Sequence, residues 1–516
     1  MPPKALRYSN DGRKPRPAVG RANGKANTMV ASTAATVTAG APSSCWQGSM
    51  RPTSRMSMTT SSVPGRVISA TPLRDTAAAA GRGNNNNNIS SNGYYKTPLL
   101  ATDERSGDAA PPLLYRTDLD KHVIHFAFQW FPRSIEIMEE DDVMTGDWHF
   151  FWMNVARVRS IFSTSEYRLT DSQIINHFPN HYELTRKDLM YKNIKKYIRE
   201  PANAQLRVTF TPPGINEGDE GDCNRNWLRF ADCVPVTHNI PNDLQMLAEE
   251  FRRQPGRTWI VKPTARSQGR GIFLINRVSQ LKRWLRERKD AEETEGAAPG
   301  AFIVSKYVAD PLLIGGKKFD LRLYVLVTSF KPLVAYFHEQ GFARFCATRY
   351  VANALTDDDL GSHLTNVALQ KGEEAYNESH GGKWSLANLC LFVQGRYGAA
   401  CADGLMRSIE FLIYHSLRAV EAVMCNDKHC FELYGYDVLI DSQLRPHLIE
   451  VNSSPSLSTT TVSDRLLKEE VLEDVLKIIF PPAFPASGAM PYWEYRLRTD
   501  LTTAVPTGFR LLQPQA

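Results

Sequence analysis

The chain has 516 residues, 42% of them hydrophobic and 22% charged, proportions ordinary for a protein with two or three folded units. No apolar run approaches the roughly 18 to 20 residues needed to cross a bilayer, and no start of the secretory type is present, so neither a membrane-spanning nor an exported protein is expected. The net charge of +6 is uneven: residues 1–118 carry 15 Lys and Arg against 6 Asp and Glu, a net +9, which leaves the remainder at −3.

Residues 1–112 are rich in Ala, Ser, Thr, Gly, Pro and Asn, include a run of asparagines at 84–88, and show no sustained period of 2 or 3.6. Such a composition cannot bury enough apolar surface to offset the entropy of ordering, and a disordered basic tail is expected. It is either solvated padding or a segment drawn to an acidic polymer surface.

Folded character begins near Leu113. Aromatic-dense stretches at 125–131 and 147–152 precede a polar and aromatic string at 175–187, and helical stretches are predicted over 186–199 and 244–253. From residue 257 the pattern turns to strands. Those at 258–261 and 271–275 flank a glycine-containing loop and read as a hairpin. A helix over 278–288 leads into a charged insert at 289–300, expected as a mobile surface loop. Strands follow at 302–308, 319–329 and 333–337, helices at 386–392 and 404–424, and a last hairpin over 431–451. Strands that neighbour one another through short turns imply an α+β fold with mixed, largely antiparallel sheets. The eight cysteines lack paired spacing; Cys425, His429 and Cys430 are read as buried side chains beside a strand.

Three constellations carry chemistry. In residues 261–272, VKPTARSQGRGI, Gly269 and Gly271 would let backbone N–H groups approach phosphates while Lys262 supplies a cation. Alone this is equally a hairpin turn, and it matches neither GxxxxGK[ST] nor GxGxxG. In 318–327, KFDLRLYVLV, strand alternation buries Phe319, Leu321, Leu323, Val325 and Val327 on one face and leaves Lys318, Asp320 and Arg322 on the other. A structural salt bridge would explain that trio; so would a triphosphate with its metal. In 433–441 and 446–452, LYGYDVLID and PHLIEVN, a tight turn centred between Gln443 and Leu444 would set Asp437 opposite Glu450, with Asn452 joining them. Facing carboxylates repel unless a cation lies between them, and an all-oxygen set suits magnesium, although a solvent-facing polar hairpin is the alternative.

Taken in order, KPxxxxQGxGI, SKYV, KFDLRLYV, HLTN, GGKW, YGYDVLID and LIEVNSSPSL closely resemble the tubulin-tyrosine-ligase-like branch of the ATP-grasp ligases, over about residues 131–479. KPTARSQGRGIFL and DKHCFELYGYD are similar in wording to its polyglutamylase-type members, ligase-like member nine nearest and member one next. The resemblance implies an ATP-grasp core over 257–480, preceded by N-terminal and central subdomains over 113–256 and followed by a C-terminal extension over 481–516. It also implies ATP contacts from Lys262, Gln268, Gly269, the hinge Ser305, Lys306, Tyr307 and Val308, then Lys318, Phe319, Asp320, Thr365 and Asn366. Arg344 and Lys383 match positions that bind free L-glutamate, and Asp437, Glu450 and Asn452 would carry Mg²⁺. Arg322 and Lys262 would neutralise charge during transfer. Arg270 stands where family members commonly have Lys.

The activity implied is ATP-dependent addition of L-glutamate to glutamate side chains in the acidic tails of tubulin, through an acylphosphate. Tubulin or microtubules and possible partner subunits are the expected partners, with no nucleic acid and no membrane. The implied setting is cytoplasm and cytoskeleton, at a ciliary or flagellar axoneme or basal body. The competing expectations are a glycine ligase, a glutamylase of another protein, and a catalytically silent microtubule-binding subunit.

Overall fold

The computed structural model describes residues 111–514 except 130, 132, 138–147, 164–167, 215–226, 265–268, 296–299, 353–359 and 372–381. Nearly all of the basic tail, and Gln268, lie outside the described residues.

The central element is the strand Lys317–Phe330, whose alternating side chains divide the interior. Phe319, Leu321, Leu323, Val325 and Val327 pack into one core together with Leu405, Ile409 and Leu412 of the helix Ala399–Glu421. On the opposite face Tyr324 and Leu326 join a second core with Val471, Val475 and Ile479 of the helix Val462–Ile479. Each such side chain withdrawn from water contributes roughly 1.5–3 kcal/mol. At the N-terminal end of that second face the charged Lys318, Asp320 and Arg322 replace the apolar residues, which marks where the core gives way to a cleft.

This strand lies in the middle of a seven-stranded antiparallel sheet ordered Lys383–Ser385, Leu333–Phe345, Lys317–Phe330, Glu432–Ile440, Pro446–Asn452, with short strands Leu313–Ile314 and Phe509–Leu511 at its margins. A four-stranded antiparallel sheet, Thr237–Ile240, Phe302–Lys306, Trp259–Pro263, Phe273–Ile275, packs on the helices Leu244–Arg253 and Val278–Glu295. Its strand at 237–240 pairs across the expected boundary at 257. A third sheet, of Ser134–Glu136, Leu113–Thr117, Phe150–Trp152 and Ile174–Ile175, is parallel throughout, so the sheets taken together are mixed and largely antiparallel, as expected. No helix among the described residues is long and apolar enough to cross a membrane.

Four expectations are corrected. The helix predicted to stop at 288 runs to Glu295, because the Lys, Glu and Ala residues taken for a loop are strong helix formers. The strand expected to end at 337 continues to Phe345, since its partner strand is 14 residues long and keeps it paired past Gly341. The final hairpin turns about Gln443, not between Gln443 and Leu444, with Leu444 left-handed at φ 63°. Cys425 is exposed, whereas Cys430 and His429 are buried as expected.

Candidate active site

Antiparallel register brings the polar residues of five strands into two adjacent rungs. Lys383 lies opposite Arg344, and Arg344 opposite Asp320. One step along, Arg322 lies opposite Asp437, and Asp437 opposite Glu450. Directly paired residues share a face, so the first rung runs cation, cation, acid and the second cation, acid, acid. Arg344 donates to both oxygens of Asp320 at 2.8 and 2.6 Å and reaches Asp437 Oδ2 at 2.8 Å. Arg322 donates to Asp437 at 2.6 and 3.2 Å.

A β-bulge between Val438 and Asp437 creates the second rung. Below it Val438 pairs Leu448; above it Asp437 pairs Glu450, so Ile449 is the additional residue. The bulge supplies the one-residue offset that the turn does not, and it turns both Ile449 and Glu450 toward the same cleft. Burial would raise the Asp437 carboxyl, but the guanidinium of Arg322, followed by that of Arg344, outweighs it and holds the group well below the usual carboxylate range.

The cleft opens between the seven-stranded and four-stranded sheets. Lys262, Gly269, Ser305, Lys306, Tyr307, Val308, Lys318, Asp320, Arg344, Thr365, Asn366, Asp437 and Glu450 all line it. Gly269 is needed twice over: its φ is +77°, and an added Cβ would come within 2.8 Å of Leu369 and 3.1 Å of Asn366. Burial lowers Lys262 to about 8, opposed in part by Glu450. Burial also lowers Lys318, whose ammonium donates to Tyr307 Oη at 2.9 Å and to the His363 carbonyl at 2.8 Å. Tyr307 Oη in turn shares a hydrogen bond of 2.7 Å with His363 Nδ1.

Other sequence-derived residues stand back from the cleft. Phe319 points its side chain into the opposite core. Arg322 lies behind Asp437; Lys383 lies 3.0 Å from Asp464; Asn452 donates through Nδ2 to the Gly435 carbonyl at 3.2 Å, which leaves Oδ1 as an acceptor. Sequence reasoning missed Lys187, whose ammonium is 2.8 Å from Glu450 Oε2, and the apolar walls Ile260, Ile272, Leu364, Leu439 and Ile449. Lys187 opens a predicted helix, but nothing local signals that the helix begins at the cleft.

Asp437 and Glu450 offer carboxylates, and no group of three His, Cys, Asp or Glu gathers among the described residues. The Asn452 amide is the remaining protein oxygen in the same register. A donor set made only of oxygen fits a hard divalent cation.

Buried lysines, the paired acids and apolar side chains thus line one cleft. The chain belongs to the tubulin-tyrosine ligase family, whose description matches residues 164–487. It is 44% identical over 376 residues to "Probable alpha-tubulin polyglutamylase Ttll1" of Tetrahymena thermophila, covering 72% of this chain and 87% of that one. It is 36% identical over 375 residues to "Probable tubulin polyglutamylase TTLL9" of Rattus norvegicus, covering 67% and 75%. With "Tubulin polyglutamylase TTLL5" of Homo sapiens identity is 35% over 328 residues, 60% of this chain but 22% of that longer one. Membership makes the protein an ATP-dependent ligase.

Proposed function

We propose that the protein joins L-glutamate to glutamate side chains in the acidic tails of tubulin, using ATP in an ATP-grasp core. The names of its relatives support the substrate and the amino acid. The observation that carries the reading at atomic level is the pair of rungs: three cations and three acids share one face of the sheet beside the cleft.

In this reading the adenine ring lies between Ile260, Leu439 and Ile449 and meets the backbone of residues 305–308. Lys262, Lys318 and the backbone at Gly269 face the phosphates. Asp437, Glu450 and Asn452 would hold Mg²⁺, which would supply charge neutralisation at the phosphates. An acceptor carboxylate oxygen attacks the γ-phosphorus, the bond to the β-bridging oxygen breaks, and ADP leaves. The amine of free glutamate then attacks the acyl carbon, loses a proton, and phosphate departs with the former carboxylate oxygen. Lys262 faces the charge that moves between these oxygens, and Arg322 acts on it from behind Asp437. Arg344 and Lys383 receive the two carboxylates of the incoming amino acid, exchanging them for part of their present pairing with Asp320, Asp437 and Asp464.

The protein would work at the cytoskeleton, in cilia or flagella, with or without partner subunits. The basic residues 1–112 would favour encounter with acidic tails, an attraction that salt weakens.

The route leaves an isotopic trace. With acceptor carboxylates enriched in ¹⁸O, one labelled oxygen should appear in inorganic phosphate for each glutamate joined. Unlabelled phosphate would contradict the acylphosphate.

A further inference from the structure

Lys383 is the outermost cation of the first rung, and what holds it lies behind the cleft. Its ammonium is 3.0 Å from Asp464 Oδ2 and 3.4 Å from Thr460 Oγ1, and it lies over the Phe342 ring at 4.9 Å. Asp464 sits in the first turn of the helix Val462–Ile479. Its N–H donates to Thr461 Oγ1 at 3.1 Å while its Oδ2 accepts from Thr460 N–H at 3.0 Å, a reciprocal cap. One turn on, Lys468 lies 3.2 Å from the same carboxylate and donates to the Ser458 carbonyl. Side-chain exposure is 1% for Asp464, 4% for Lys468 and 12% for Lys383.

A helix cap has no need of a second buried ammonium, whose desolvation costs several kcal/mol. Sharing Asp464 between two lysines has one electrostatic effect: the acid neutralises neither fully, and the trio keeps a net charge of about +1, with Lys383 its member in the first rung. Burial lowers Lys468 to about 8, with Asp464 opposing, so it remains an ammonium at neutral pH.

We propose that Asp464 and Lys468 form a buried clamp that fixes the position and residual charge of the Lys383 ammonium, and thereby sets affinity for the amino acid and its preference for glutamate over the shorter aspartate. This rests on the assignment of Lys383 to the free amino acid. Asp464 and Lys468 are positioning residues, since neither lines the cleft.

The test is steady-state kinetics with the purified full chain, ATP, tubulin, and labelled glutamate or aspartate. Asp464→Asn keeps an oxygen for the Thr460 N–H but removes the charge. It should raise KM for glutamate about 10- to 100-fold, the scale of a lost charge-assisted hydrogen bond, and narrow discrimination against aspartate. KM for ATP should stay within about threefold, and Asp464→Glu should restore part of the loss. In a Lys383→Ala background Asp464→Asn should add nothing, because it acts through Lys383. Equal changes in KM for ATP and glutamate, or full additivity with Lys383→Ala, would overturn the clamp. If Asp464→Asn does not fold, Lys468→Met decides, and an unchanged KM for glutamate overturns the proposal. Should Lys383→Ala itself leave glutamate KM unchanged, the amino-acid subsite is misassigned and the clamp falls with it, an outcome distinct from the clamp alone failing.

Discussion

Lys262 comes from a strand whose other side chains are all buried, and desolvation brings it from an ordinary value near 10.5 to about 8. The unfolded chain therefore binds this proton more tightly, and the lysine's burial penalty is present below about 8 and fades as pH rises toward 10.5. Polyphosphate reverses the preference, since phosphate charge favours the ammonium. ATP binding should thus take up a proton near pH 8 to 9, take up almost none near pH 6.5, and weaken as pH climbs through 8. Calorimetry in buffers of different ionisation enthalpy measures the uptake directly. Lys262→Met should remove most of it, with Lys318, lowered in the same direction, contributing the rest. Uptake that ignores pH, or that survives Lys262→Met, would refute the placement of phosphate beside this residue. At this scale the sequence was informative where residues fall on strict alternation: Lys318, Asp320 and Arg322 stand where period 2 puts them. It was silent on Lys187, which meets Glu450 only because a distant helix begins at the cleft.

The hairpin Glu432–Ile440 and Pro446–Asn452 shows how an element can satisfy an expectation by another route. Facing of Asp437 and Glu450 was legible from the sequence; the means was not. Asp441 Oδ1 accepts from Gln443 and Arg445 N–H, each at 2.9 Å, which closes a turn of different centre, and the bulge at Ile449 restores the offset. A bulge carries no residue signature here, because Ile449 reads as one more apolar strand position. Its side chain nonetheless forms part of the cleft wall, flanked by the core residues Leu448 and Val451 beyond it and Glu450. Ile449→Ala should raise KM for ATP up to about tenfold, in keeping with ~25 cal/mol per Å² of apolar contact, and leave KM for glutamate unaltered. Equal changes in both would contradict a wall role confined to the nucleotide. The strand Leu333–Phe345 illustrates the reverse problem. Glu339, Gln340 and Gly341 look like a break, yet the long partner strand keeps the pairing that sets Arg344 against Asp320.

Across the whole molecule, the cleft exists because two antiparallel sheets face one another, each backed by its own helices. That arrangement follows from strands closely spaced in sequence and was largely legible. The parallel sheet was not, because its strands are two to five residues long and come from positions 113, 134, 150 and 174, where no turn signals pairing. The helix Val462–Ile479 was also missed. Its apolar residues face a core on a stripe interrupted by buried Asp464, Lys468, Glu469, Glu473 and Asp474, which blurs helical periodicity. Two of those interrupting charges, Asp464 and Lys468, are the group behind Lys383.

The most direct test of the account is incorporation of labelled amino acids into tubulin by the purified chain, with and without ATP, beside Glu450→Gln. The account predicts ATP-dependent incorporation of glutamate and not of glycine, reduced about 10²- to 10³-fold or more by Glu450→Gln, as for loss of one preorganised charge contact. Incorporation of glycine alone, or undiminished glutamate transfer by Glu450→Gln, would contradict it.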